Sequence, residues 1–533
     1  MLHYLSSSDI NKLFEWGIAK LTLTLKVYSK VSQQKFGLLA IFILSGIIAG
    51  LSAPGIHFGV LDFANNIWFA LTPFILLLFT RFWQALGLGL IYGLIYNLIY
   101  LNWFLGLSPL DWLSGIDKYW IDLIPIIAWF FEVIHQSLIL VIALMIAKVG
   151  FNLTRQVKLL NLLAVPLIIT IVMNYLNQYK LSGVGWTSFE YTQYHNPVII
   201  QPCNFFGGKA LAMLILMVNT AFAFLANDLY RQFGNNENSF KMELFKPDLK
   251  VILTAFIIFI CWFGFGFSIF SLPENNVNTQ KIKVALIQPN ITVEERYQQQ
   301  LSFTQILQKN VWLLNQCHDE LVILPENATP TNLIGNIGAV VTYKFLCWKN
   351  RLKILTGAMY KNNIINKIYN SAYGINDLGL NKEIYHKRYL VPFGEFNPAW
   401  VKLLPKELQE ITCTPAGSEF SFGDKSISLA IGKIKINVLI CFEILYPELS
   451  KDFQSTNTSI IVNLSDLSWF HNSIIGEQMI AFATFRAVEN HKYVLFVANT
   501  GPSSIISPQG INLAKTLSGQ KVILEKELIV NTN

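Results

Sequence analysis

Charge is what this chain has least of. Only 14% of its 533 residues are Asp, Glu, Lys or Arg, against about a quarter in an average soluble domain. With 53% hydrophobic residues and a mean hydropathy of +0.43, neither an all-soluble globular protein nor a disordered one fits. Cysteine is scarce too. The six thiols, Cys203, Cys261, Cys317, Cys347, Cys413 and Cys441, show no CxxC and no regular spacing, which speaks against a disulfide framework or a zinc site. Residues 1–35 lack the apolar core and small-residue cleavage site of a signal peptide. Their mixed apolar and lysine spacing suggests a cytoplasmic interfacial helix. The net charge of +7 would raise nucleic acid as a partner in a soluble chain. Here lysines at the cytoplasmic ends of membrane helices account for it, and no nucleic-acid partner is expected.

Long apolar runs fill the chain up to about residue 271. Seven reach the roughly 20 residues needed to cross a hydrocarbon core: 36–56, 65–82, 84–105, 121–147, 158–177, 205–227 and 249–270. The polar stretch 271–279 reads as a linker. Lys12, Lys20, Lys26, Lys30 and Lys35 precede the first run. Every second loop is basic: Arg81, then Lys148, Arg155 and Lys158, then Arg231, Lys241, Lys246 and Lys250. The loops between carry only Lys118 and Lys180. This alternation predicts a cytoplasmic N-terminus and places everything after residue 271 on the far side. Glu132 and His135, three apart on the fourth run, share a helix face and are expected to pair inside the bundle. Cys261 falls in the seventh run as packing.

From about residue 280 the chain reads as a soluble α/β domain. β-branched strands are expected at 282–287, 320–324, 352–356, 370–375, 435–440, 459–464 and 493–498, with helical windows at 299–315 and 477–489. Strands apolar on both sides, alternating with helices, imply a sheet covered on both faces. Functional residues in such folds sit at strand ends. Glu326 follows ELVILP, Lys387 follows NKEIYH, and Cys441 ends KINVLIC. A cysteine at a strand-to-helix turn gains from the helix dipole, a nearby lysine favours its thiolate, and a carboxylate serves as general base. Cys317, Cys347 and Cys413 are expected to be structural thiols.

The order Glu, Lys, Cys at three strand ends resembles the nitrilase (carbon–nitrogen hydrolase) superfamily. The string LPENATP resembles its Pro-Glu motif and ICFE its nucleophile motif. Lys387 with RYLVPFGEF resembles one membrane-bound branch, the apolipoprotein N-acyltransferases, as do SWF at 468–470, FRAVEN at 485–490 and ANTG at 498–501. The resemblance implies a multi-span α-helical membrane domain over 36–271, followed by a periplasmic α-β-β-α sandwich over 280–525. It places the protein in the bacterial inner membrane and requires no cofactor or metal. It implies an enzyme that moves an acyl chain from a phospholipid donor, through a Cys441 thioester, to the N-terminal cysteine amine of a diacylglyceryl apolipoprotein. Glu326 would be the base, and Lys387 would support the oxyanion. Glu395 and Glu443 match supporting acids of the pattern. Two other readings remain open at this point: a nitrilase-type amidase on a small amide, and a non-catalytic membrane protein with a degenerate nitrilase fold.

The chain departs from the family pattern in places. Phe442 stands where a Tyr is frequent, and Tyr297 where a Trp sits on a loop over the site, which keeps an aromatic for lipid contact; the resemblance makes both supporting residues. Asp466-Leu467 replaces Asn-Asp, and Phe496 stands where many members have Arg. A Gly-Phe-Pro-Trp string is reduced to Gly183-Val184-Gly185-Trp186. Residues 526–533 read as a short tail, without the transmembrane helix that usually closes family members.

Overall fold

Away from water, an apolar run satisfies its own backbone only as a helix, and the first half of the chain follows that rule. The computed structural model describes residues 35–531 apart from 59–60, 111–117, 180–183, 235–248, 273–278, 299, 319, 400, 402–418, 454–455 and 457. The expectations for residues 1–34, the centre of the linker, Lys180, Gly183, Lys241, Lys246 and Cys413 therefore lie outside the described residues. The long helices are α1 (Lys35–Leu51), α2 (Phe82–Tyr100), α3 (Lys118–Thr154), α4 (Lys158–Leu176), α5 (Gly208–Gly234) and α6 (Leu249–Phe270). Among the described residues, five of these, α2 to α6, are long and apolar enough to cross a membrane.

The run at 65–82 is not one helix. It is broken into short α and 3₁₀ turns between Ala64 and Phe79, with Pro73 opening the turn Thr72–Leu76. Proline removes a backbone donor and ends the preceding turn. The freed carbonyls find side chains from three helices. Ser45 and Tyr92 donate to the Ala70 carbonyl at 2.6 and 3.0 Å, and Asn219 donates to that of Ile67 at 3.0 Å. Lys148 is a second correction. Helix α3 runs 37 residues, about 55 Å at 1.5 Å per residue, so Lys148 lies inside it rather than on a loop. Its buried ammonium caps the broken segment through the carbonyls of Leu77, Leu78 and Thr80. Glu132 and His135 do pair, at 3.2 Å.

The second half is an α-β-β-α sandwich. Its elements are β1 (Thr279–Gln288), α7 (Val293–Tyr297), α8 (Phe303–Leu314), β2 (Leu321–Ile323), β3 (Thr329–Asn332), α9 (Ile337–Asn350), β4 (Lys353–Asn362), β5 (Lys367–Asn376) and β6 (Gly379–His386). There follow β7 (Ser428–Ile431), β8 (Ile434–Ile440), α10 (Pro447–Lys451), β9 (Ile460–Ser465), α11 (Ile475–Asn490), β10 (Tyr493–Ala498), β11 (Ser504–Ile506), β12 (Asn512–Lys515) and β13 (Val522–Asn531). One sheet has the order β13-β1-β2-β4-β5-β6, with β3 beside β4; the other has the order β12-β11-β10-β9-β8-β7. The strands read as apolar on both sides because each sheet faces its partner on one side and helices on the other. Val284, Leu286, Ile323, Val438 and Val462 fill the space between the sheets, whereas Ala285, Ile287 and Val322 pack under α8 and α9. The stretch 526–533 is not a tail for most of its length: β13 pairs antiparallel with β1 from Val522 to Asn531.

Helix α11 joins the halves. All its residues except Glu477 are buried, because one face covers the second sheet and the other meets the membrane half in a single continuous core. Polar pairs fix that contact. The Trp186 indole donates to Gln478, Gln478 donates to the Tyr100 carbonyl at 2.9 Å, and the Gly208 amide donates to Glu489 at 3.0 Å. Replacing Gln478 with Leu leaves the buried indole N–H without its acceptor. This is expected to cost about 1–3 kcal/mol, and is checked by thermal unfolding in detergent against the wild type.

Candidate active site

Three strand ends converge. Glu326 lies just beyond β2, Lys387 directly follows β6, and Cys441 directly follows β8, so two of the residues belong to one sheet and the third to its partner. Close approach of chain segments fixes the glutamate. Gly357 of β4 passes so near that an added Cβ would lie 2.7 Å from both the Glu326 Cα and the Asn327 amide nitrogen. Only a residue without a side chain fits there.

Lys387 is buried, and its Nζ lies 2.8 Å from Glu395 Oε2 and 3.2 Å from Glu326 Oε1. Glu395 arrives on the turn made by VPFGE. Its amide donates to the Val391 carbonyl while its carboxylate accepts the Val391 amide, both at 2.8 Å. The side-chain amide of Asn370, within β5, bridges the two acids, at 2.7 Å to Glu326 and 2.8 Å to Glu395. The other oxygen of Glu326 accepts the Asp466 amide at 2.9 Å. Each oxygen of both carboxylates thus has at least one donor, as a buried carboxylate requires.

Burial opposes the charge of Lys387, but Glu326, Glu395 and Cys441 outweigh it and hold the ammonium above its usual pKa. Burial pushes the Glu326 carboxyl up; Lys387 pulls it down and Glu395 and Asp466 push it up again, so it lies above the ordinary carboxylate value. The Cys441 thiol lies well above its ordinary value, through burial first and then Glu326, against the opposing effects of Lys387 and the Asp466 amide. This corrects the expected helix-dipole effect. Cys441 opens only a five-residue 3₁₀ turn, Cys441–Leu445, too short to carry much of a dipole. The resting group is a neutral thiol beside a carboxylate with enhanced basicity. The residue adopts φ +50°, a left-handed conformation that costs about 1 kcal/mol or more away from glycine.

The remaining expected residues sort by what they touch. Glu443 bonds the chain rather than the three central residues. Its carboxylate accepts the amides of Ile440 (2.7 Å), Arg388 (2.6 Å) and Tyr389 (3.2 Å) and the hydroxyl of Tyr385 (2.8 Å), so it ties the lysine segment to the cysteine turn. Phe442 is buried between Tyr446 and Trp186, with ring centroids 5.4 and 6.5 Å away. Tyr297 ends the short helix α7. The buried Phe496 packs into the core around α11. Asp466 is held by Arg296, Ser468 and Asn499. Sequence reading gave no role to Asn370, Arg296 or Tyr179, and noted Asn499 only as part of ANTG. Tyr179 stacks on Tyr389 at 4.1 Å, and its hydroxyl both accepts the Leu390 amide (3.0 Å) and donates to the Leu390 carbonyl (2.8 Å). A polar residue inside an apolar strand, as Asn370 is, was the one available signal. Elsewhere, Cys317, Glu320 and Glu525 bring metal-type ligand atoms within 4.8 Å of one another at the edge of the larger sheet, remote in the fold from this cluster. Burial and then Glu525 raise the Glu320 carboxyl to about 6.

Both halves of the chain match known families. The carbon–nitrogen hydrolase model matches residues 283–526, and the model for the apolipoprotein N-acyltransferase N-terminal domain matches residues 45–221. The apolipoprotein N-acyltransferase of Geobacter metallireducens is 27% identical over 77% of this chain and 78% of its own length. That of Aquifex aeolicus is 29% identical over 53% of this chain and 61% of its own length. Among solved structures, Saccharomyces cerevisiae Nit3, of the nitrilase superfamily, aligns over 47% of this chain and 90% of its own, with 21% identity and a TM-score of 0.37.

The electrostatics of the cluster lead to a labelling prediction. Peptide-resolved alkylation of Cys441 by iodoacetamide is expected to be slower at pH 7 than that of a free cysteine and to accelerate toward pH 10. Lys387→Met removes the charge that favours the thiolate and is expected to slow it further, about tenfold per unit of pKa. The same variant leaves two acids buried without their cation, and is expected to lose about 3–5 kcal/mol of stability in a parallel melt.

Proposed function

Because the chain belongs to the apolipoprotein N-acyltransferase family, we propose that it transfers an acyl chain from a membrane phospholipid to the N-terminal cysteine amine of a diacylglyceryl apolipoprotein. The site would lie on the periplasmic face of the bacterial inner membrane. The observation that carries this reading is the Glu326–Lys387–Cys441 cluster, its charged members buried and its thiol partly exposed, set against the membrane half, where Trp186 and Tyr179 reach the chain around the cysteine.

Cys441 Sγ attacks the ester carbonyl of the donor while Glu326 takes its proton. Lys387 and the backbone N–H after Cys441 hold the developing oxyanion. Collapse breaks the ester C–O bond, and the lysophospholipid oxygen leaves with the proton from Glu326. In the second half the lipoprotein amine attacks the thioester carbonyl and gives a proton to Glu326. The C–S bond then breaks and the proton returns to sulfur. Glu326 needs to be a strong enough base to take a proton from a thiol whose own pKa is raised. Burial and the two neighbouring acids move it in that direction, and the fixed charge of Lys387 compensates the thiolate as it forms. Tyr179, Trp186, Tyr389, Phe442 and Tyr446 form an aromatic wall at the cysteine turn, suited to lipid and to the exclusion of water from the thioester.

Intact mass of the protein in detergent after incubation with phospholipid tests this. One acyl-chain increment is expected, absent in Cys441→Ala, and discharged when a diacylated lipopeptide is added. A folded protein that takes up no acyl chain would overturn the reading. If it hydrolyses a small amide instead, the amidase alternative replaces it.

A further inference from the structure

The amide of Asp466 occupies a singular position. It donates to the base, Glu326 Oε2, at 2.9 Å, the oxygen opposite the one that faces Lys387. Asp466 follows the last residue of β9, where the backbone leaves the sheet, and the carbonyl of its peptide, on Ser465, accepts the Asn499 amide at 3.1 Å. Its own side chain adds a second set of ties. Oδ1 accepts the amide and hydroxyl of Ser468 at 3.2 and 2.7 Å and the side-chain amide of Asn499 at 3.0 Å. Oδ2 pairs with the Arg296 guanidinium, and both side chains are at most 4% exposed. Asn499 in turn clamps the Ile291 carbonyl and amide at 2.7 and 3.1 Å, just ahead of α7, the helix that delivers Arg296. The ion pair and the clamp thus tie the loops after β1, β9 and β10 together behind Glu326.

Resting on the proposed acyl transfer, we propose that Arg296 and Asp466 are a buried positioning pair. They hold the Asp466 amide on the Glu326 carboxylate and keep a balanced pair of charges behind it. The groups facing Glu326 are Lys387 from the end of β6, Glu395 from the VPFGE turn, Asn370 from β5, Cys441 from the end of β8 and Asp466 from the end of β9. Asp466 is thus one of two acids acting on the base, and Arg296 is the cation that offsets it. A scaffold role alone would change stability or substrate binding. A positioning and charge-balancing role must also move the pH profile of the chemical step.

The test is the rate of Cys441 acylation by phospholipid, followed by intact mass from about pH 5 to 9 at saturating and limiting donor, for the wild type, Asp466→Asn, Arg296→Met and the double variant. Asp466→Asn keeps an acceptor for Ser468 and Asn499 but removes the negative charge near Glu326. Its acid limb is expected to move to lower pH by about half a unit or more, with the saturated rate down about tenfold and KM for the donor within about twofold. Arg296→Met strands the Asp466 charge and is expected to move the limb to higher pH. The double variant carries neither charge and is expected to return the limb toward the wild-type position. Arg296→Gln, which also removes the charge, provides the same comparison where Arg296→Met does not fold, and Arg296→Lys, which retains it, is expected to leave the limb near its wild-type position. Limbs that coincide in wild type and both single variants, or an effect confined to KM, would overturn the pairing while leaving the acyl-transfer reading intact. A wild type that is not acylated overturns both.

Discussion

The site depends on burying one ammonium group. Lysine is almost never fully buried without a partner, and Lys387 is 1% exposed. Two carboxylates offset its desolvation, and each then needs donors of its own. Asn370, the Val391 amide and the Asp466 amide supply them. Each donor comes from a different segment: a strand, a turn and a strand end. The charge of one lysine therefore dictates the arrangement of four segments, and Cys441 opens onto a site whose polarity is already set.

That arrangement is braced from the membrane half. Glu443 knits the lysine segment to the cysteine turn with four hydrogen bonds. Tyr179 grips the same segment from beyond the end of α4. Helix α11, buried on all sides, carries the contact from Trp186 and Gly208 to the second sheet. The two halves form one packed core rather than a bundle with a tethered domain. A shift in the bundle near Tyr179 or Trp186 acts on the cysteine turn directly.

Much of the architecture was legible in residue order. Apolar runs marked the membrane helices, and the seven strands expected from β-branched runs are all present. The misses have local causes. The run at 65–82 has the composition of a span, but Pro73 breaks it and neighbouring side chains satisfy what it frees. Lys148 looked like a loop lysine because composition does not show how far α3 continues past the apolar run. Strand β3 (TPTN) and strand β12 (NLAK) are short and polar; sheet neighbours, not intrinsic preference, make them strands. The end of the chain read as a tail because half of LEKELIVN is polar, yet an edge strand needs only one buried face.

The candidate site divides in the same way. The residue types Glu326, Lys387, Glu395 and Cys441, their order, and the places of Glu326, Lys387 and Cys441 at strand ends are legible in the sequence, because reactive side chains and strand periodicity are local properties. The bonds between them are not local. Lys387 meets Glu326 across 61 positions, and the Asp466 amide meets the same acid across 140. Such distances are set by sheet register and by the stacking of two sheets, which no local pattern encodes. For that reason Asp466 looked like a departure in the sequence, and only the folded chain gave it Arg296, Ser468 and Asn499 as partners.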